Sequence, residues 1–296
     1  MEIEEERQNN RVITRGYMPS NIIMWDDLEI EWKSWIIPII MMINVIMFII
    51  TMFNNKCYLH GGACVMKFLG KFSFEPFSHN PLLGPSYQTL LKMGAIDGAT
   101  IAQHHQGWRL ITSIWLHTGL LHLLVTIFSL FFIGIRLEQQ FGFVRTGVIY
   151  IIAGIGGNIV ACLFDPKHVS VGASSALLGL IAAMFSELLT NWTTYANKIA
   201  AGITLSLSLI INVVVAIVPY HGHISHALGG FMTGFLLGFV LLARPKEWLT
   251  RQHITSNVFK SKYKPHQYAL GVTSLVLLII GYILGLVMLF KAKPKN

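Results

Sequence analysis

The chain has 296 residues, of which 53% are apolar and only 12% charged, and its mean hydropathy is +0.58. So large an apolar share excludes a single soluble domain of this length and points to a polytopic membrane protein. The net charge of +8 does not indicate a nucleic-acid partner, because the basic residues gather in connections beside apolar runs: Arg244, Lys246, Arg251, Lys260, Lys262 and Lys264 share one of them.

Residues 1–34 read as an acidic cytoplasmic tail, with Glu2, Glu4, Glu5 and Glu6 followed by Asp26, Asp27, Glu29 and Glu31. This is not the Arg-rich, acid-poor pattern of a transit peptide, and no cleavable signal is expected ahead of the first span. Runs able to cross a bilayer core, about 20 residues each with some shorter, lie near 35–53, 114–135, 147–163, 176–189, 199–218, 227–242 and 268–290. The expectation is an all-α fold with a transmembrane core over 35–245, a basic cytoplasmic linker over 246–267, a seventh helix over 268–290 and a tail over 291–296. The first span, carrying Pro38, would serve as an uncleaved signal anchor into the secretory pathway, with the Golgi or plasma membrane as destination.

Orientation follows from Lys and Arg in the short connections. With the N-terminus cytoplasmic, that side holds Arg136, Arg145, Lys198 and the six basic residues named above, against Lys167 alone in the short lumenal connections. Lys291, Lys293 and Lys295 in a lumenal tail run against this polarity. The first connection, about 54–113, is long and dotted with Phe72, Phe74, Phe77, Tyr87 and Trp108, so it is expected to lie in the membrane interface. It also holds Cys57 and Cys64, which pair if the loop is lumenal and are otherwise free thiols. The three cysteines, Cys162 included, have no metal-binding spacing.

In this orientation spans two, four and six all begin on the lumenal side. Ser174 opens span four in Gly172-Ala173-Ser174-Ser175, His122 falls about two turns into span two, and His221, His223 and His226 crowd the start of span six. Ionisable groups at one depth in a membrane mark a functional site. The serine is a helix cap or a nucleophile. A metal or proton transporter using His122, His221, His223 and His226 is a separate reading, although no carboxylate or thiolate cluster accompanies them. The loop histidines His104, His105, His221 and His223 read as solvated or interfacial.

Several ordered motifs then carry a family. Gly107-Trp108-Arg109 in the first loop, His117 through His122 entering span two, the run from Gly134 to Gly142, Gly172-Ala173-Ser174, and Gly229-Gly230-Phe231 in span six together resemble the rhomboid intramembrane serine proteases, above all the plant secretase-type members with six helices plus one. The resemblance covers about residues 108–245. It implies a Ser-His dyad without a cofactor or metal, acting on transmembrane segments of other membrane proteins near the lumenal side, with the bilayer itself as surroundings. Ser174 would be the nucleophile, and His122 with Thr126 one turn later would hold the oxyanion.

Three positions depart from the family pattern. Ser175 follows the nucleophile where the family has Gly, and Thr126 stands where it has Asn. Aligned through Gly230, Phe231 and Gly234, the family's histidine falls at Ala227, and His226 is one residue early. One residue is about 100° of helix rotation, which is expected to carry the imidazole out of reach of Ser174 unless the helix starts late or contains a π-bulge, or His223 serves instead. The alternative function is therefore an inactive rhomboid homologue that binds transmembrane clients and affects their trafficking or turnover.

Overall fold

The computed structural model describes residues 32–55, 57, 64–98, 100–101, 105–166, 168–192, 195, 197–217, 224–244 and 263–291. The acidic segment before residue 32, Lys167, His104, His221, His223, the basic residues between 245 and 262, Lys293 and Lys295 lie outside the described residues.

Among the described residues there are seven long helices: α1 (Ile36–Asn54), α2 (Leu120–Phe141), α3 (Phe143–Phe164), α4 (Ala173–Thr190), α5 (Lys198–Ile217), α6 (Ser225–Leu241) and α7 (Pro265–Lys291). Six of these are long and apolar enough to cross a membrane. The exception, α6, has 17 residues, about 26 Å at 1.5 Å per residue. Among the described residues the only β pairing is two isolated bridges, so the architecture is an all-α helical bundle.

Helix α4 is the centre, with 89% of its apolar window buried, and α2, α3, α5 and α6 pack around it. Its small residues make this possible. Lipid offers no hydrophobic drive for helix association, so packing depends on close approach. A Cβ on Gly230 of α6 would run into the Ser175 backbone, and one on Gly234 into the Gly179 carbonyl. The Gly230–Gly234–Gly238 stripe therefore presses directly onto α4.

Two predicted helix starts are corrected. Span two begins at Leu120 rather than near 114: residues Arg109–Thr112 and Ser113–Trp115 form short helical turns, and the chain then leaves the helical conformation at Leu116 and bends at Thr118 and Gly119 before the helix starts. Ile114 and Leu116 are fully buried, Ile114 in the main core of the bundle and Leu116 among Leu90, Ala95 and Val171, which is why this part of the loop is apolar. Hydropathy alone cannot separate such loop core from a span. Helix α4 starts at Ala173, with Gly172 in the cap position and no side-chain cap bond, which removes the helix-cap reading of Ser174. A π-helical turn does occur, at Leu130–Gly134 within α2 and not in span six.

The first loop is stitched to the bundle. Asn80 Nδ2 donates to the Thr118 carbonyl at 2.7 Å, Leu120 N donates to Leu83 O at 2.8 Å, and Ile96 and Ser170 exchange backbone hydrogen bonds just before α4. Phe68 and Phe77 remain exposed, the disposition interfacial aromatics need. Cys57 and Cys64 are bonded to each other, which overturns the free-thiol alternative.

The opposite end of the bundle holds two buried polar devices. Glu138 of α2 accepts from Ser34 Oγ at 2.6 Å and from the backbone N–H groups of Trp35, Ile36 and Ile37 at 2.6, 2.7 and 2.9 Å. It thus caps α1 in place of a local cap residue. Glu187 of α4 pairs with Arg244 at 2.8 Å and accepts from Tyr195 Oη and Asn191 Nδ2, while Gln267 at the start of α7 donates to the Arg244 carbonyl at 3.2 Å.

Candidate active site

Three helices begin side by side, and each contributes a polar residue from its first turn. Ser174 is the second residue of α4, His226 the second of α6 and His122 the third of α2; His122 therefore lies shallower along its helix than two turns. All three are buried, at 2%, 6% and 4% exposure. His226 Nε2 lies 3.1 Å from Ser174 Oγ, within hydrogen-bond reach.

That distance corrects the expectation that a one-residue offset carries the imidazole away. The stripe from Gly230 to Gly238 sets the direction in which α6 faces α4. At about 100° per residue, His226, four positions before Gly230, lies about 40° to one side of that direction, and Ala227, three positions before it, about 60° to the other. Both positions flank the contact, so an imidazole at 226 still reaches Ser174. Ala227 is instead buried in the main apolar core.

Ser175 points elsewhere. Its Oγ donates to the main-chain carbonyl of His226 at 2.9 Å, so of the two consecutive serines it is Ser174 that meets the imidazole. His122 Nδ1 is 2.9 Å from Thr118 Oγ1, and its ring packs edge-on against His117, with centroids 5.3 Å apart. If Thr118 donates, Nδ1 is the acceptor and Nε2 carries the proton, which leaves Nε2–H free to donate. Burial, and next the neighbouring His122, hold His117 well below its usual pKa of 6.5, which keeps that imidazole neutral. Thr126 lies four residues after His122, on the same face, fully buried, and its Oγ1 has no hydrogen-bond partner among the described residues.

The approach to Ser174 is held from the first loop. Arg109 Nη1 donates to the carbonyls of Leu91 and Ala95 at 2.7 and 2.9 Å, its Nε to Gln106 Oε1 at 2.7 Å, and its guanidinium lies 4.9 Å from the Trp108 ring. Ala95 adjoins Ile96, which pairs with Ser170, and Gly172 N donates to Ser113 O at 2.8 Å. Trp108-Arg109 thus braces the loop that leads into α4.

A helical bundle with a buried serine–histidine contact between two first turns narrows the field, and comparison with known proteins decides it. A Rhomboid domain profile matches residues 104–244. RHOMBOID-like protein 2 of Arabidopsis thaliana is 51% identical over 272 residues, covering 90% of this chain and 86% of that protein. The chain belongs to the rhomboid family. Other rhomboids similar to it differ in what their names say of activity. Inactive RHOMBOID-like protein 8 of Arabidopsis thaliana is 40% identical over 219 residues, covering 74% of this chain and 62% of its own. Rhomboid protease GluP of Bacillus subtilis is 35% identical over 155 residues, covering 51% and 30%.

Two further rhomboid contacts escaped the sequence reading. Thr118 sits four residues before His122 but ahead of the helix that starts at Leu120, so helical spacing gives no ground for expecting their contact. Ser225, beside His226, donates through Oγ to the Asp165 carboxylate at the end of α3; no local pattern joins residues sixty apart.

Proposed function

We propose that this rhomboid is an active intramembrane serine protease in which Ser174 is the nucleophile and His226 the general base. The observation that carries the reading is the 3.1 Å contact between Ser174 Oγ and His226 Nε2. Ser174 Oγ attacks the carbonyl carbon of a scissile peptide in a transmembrane segment while its proton passes to His226 Nε2. His226 then returns that proton to the departing amine as the C–N bond breaks, leaving an ester on Ser174 that water cleaves. His122 Nε2–H and the unpartnered Thr126 hydroxyl are the donors assigned to the oxyanion. A serine-directed fluorophosphonate should label the purified protein and not its Ser174→Ala variant, and the same variant should leave a test transmembrane substrate uncut. Absence of labelling in the unaltered protein refutes the proposal.

A second reading, an inactive homologue that binds transmembrane clients, is favoured by one observation: Thr126 and Ser175 replace the family's Asn and Gly at the site. Client capture by a protein that neither labels nor cleaves would establish it.

The orientation proposed is N-terminus cytoplasmic, with the site toward the lumen of the secretory pathway. The Lys and Arg distribution supports it, as does the Cys57–Cys64 bond in the loop that precedes α2, at the end of the bundle where Ser174 lies. In sealed microsomes with Cys162 replaced by Ser, a maleimide reagent that crosses the bilayer is expected to modify the chain only after reduction. Modification of two thiols without reductant would contradict a lumenal first loop.

A further inference from the structure

Helix α6 faces α4 with two neighbouring positions close to the contact, His226 on one side and Ala227 on the other, as the helix phase above requires. A modest rotation or slide of the first turn of α6 would therefore move the imidazole off Ser174. A helix end is where such motion is easiest, since the first turn lacks intrahelical partners for its N–H groups.

We propose that Ser175 is a positioning residue that fixes His226: consecutive serines of α4 hold one histidine, Ser174 at its ring and Ser175 at its main-chain carbonyl. The proposal rests on the assignment of Ser174 and His226 as the reacting pair. The geometry is specific. Ser175 is fully buried, its Oγ is 2.9 Å from His226 O, and that hydroxyl fits because its neighbours are glycines. A Cβ on Gly157 would stand 2.5 Å from the Ser175 Cβ, and one on Gly230 would strike the Ser175 backbone.

A hydroxyl buried in this seam must find an acceptor, and the carbonyl it finds belongs to the residue whose ring must be aimed. Ser225 Oγ, bonded to Asp165, pins the preceding residue to the end of α3. The family's glycine at position 175 has no donor to offer. Ser175 and the early histidine are thus matched departures, one locating what the other displaces.

The test uses the full-length protein in micelles with ¹⁵N-labelled histidine, the His226 ring signals being assigned by their loss in His226→Ala. Ser174→Ala defines the signal of an imidazole without its serine partner. Ser175→Ala is expected to move the His226 Nε2 signal toward that position, and to lower kcat on a test transmembrane substrate by about 10- to 100-fold, with KM little changed. Ser175→Gly, which restores the family's residue and occupies less space, is expected to do the same and serves if the alanine variant does not fold. A folded Ser175 variant whose His226 signal matches that of the unaltered protein overturns the proposal, whatever its activity. If the signal moves while the unaltered protein neither labels nor cleaves, positioning by Ser175 stands and the protease assignment falls.

Discussion

Replacing His226 by Ala and Ala227 by His together is expected to lower cleavage of a test transmembrane substrate by about 10²-fold or more, the usual cost of losing a general base. Alignment through Gly230 and Gly234 argues for the opposite outcome, because it places the family's histidine at 227. The structure reverses the sign for two reasons. His226 Nε2 already lies 3.1 Å from Ser174 Oγ, so its removal deletes an existing contact. Ala227 is 3% exposed within the apolar core, and forcing an imidazole into that site typically costs about 1–3 kcal/mol in strained packing. Cleavage assays on the exchange variant and on His226→Ala alone check this. The exchange should be no better than the single substitution, and a gain over the unaltered protein would show that position 227 carries the base.

The second large effect concerns stability at the other end of the bundle. Glu138→Ala is expected to destabilise the protein by about 3 kcal/mol or more, since it strands three backbone N–H groups and a hydroxyl that a buried carboxylate now satisfies. The carboxylate also lies at the N-terminus of α1, where a negative charge is favoured by the helix dipole. Glu138→Gln keeps one acceptor oxygen but no charge and should fall between the two. Thermal unfolding in micelles measures the series, and a midpoint for Glu138→Ala equal to that of the unaltered protein would show that α1 docks without this cap. The effect should be separable from chemistry, because Glu138 is in the last turns of α2 while Ser174 and His226 lie where α2, α4 and α6 begin.

These two cases mark what could be read from the sequence. The helical bundle was legible because spans are long apolar runs, and the place of Ser174 was legible because Gly172-Ala173-Ser174 is a local signature ordered among others. The helix starts were less so: Ile114 and Leu116 are as apolar as any span residue, yet they belong to a folded loop packed against the bundle. The reach of His226 was hidden for a different reason. Sequence alignment treats one residue as a displacement, whereas the direction in which α6 faces α4 runs between residues 226 and 227, so the imidazole at 226 reaches Ser174 while Ala227 is buried in the apolar core. Contacts between distant segments, Ser225 with Asp165 and Ser175 with the His226 carbonyl at the site and Glu138 with α1 at the other end, join stretches that no periodicity connects. Each needs the fold before it can be seen.

The pairing of Ile96 with Ser170, together with the Gly172–Ser113 hydrogen bond, bears on how the protein is made. The segment that presents Ser174 finds backbone partners in residues synthesised earlier, so that part of its surroundings can form before α6 is made. His226 arrives fifty-two residues later, on a helix that inserts afterward. While the chain is being made Ser174 therefore precedes its imidazole partner, and the contact between them is completed only when α6 packs against α4. If Ser174 and His226 react as proposed, a ribosome-bound intermediate ending before residue 224 is expected to be chemically silent toward the nascent membrane proteins around it.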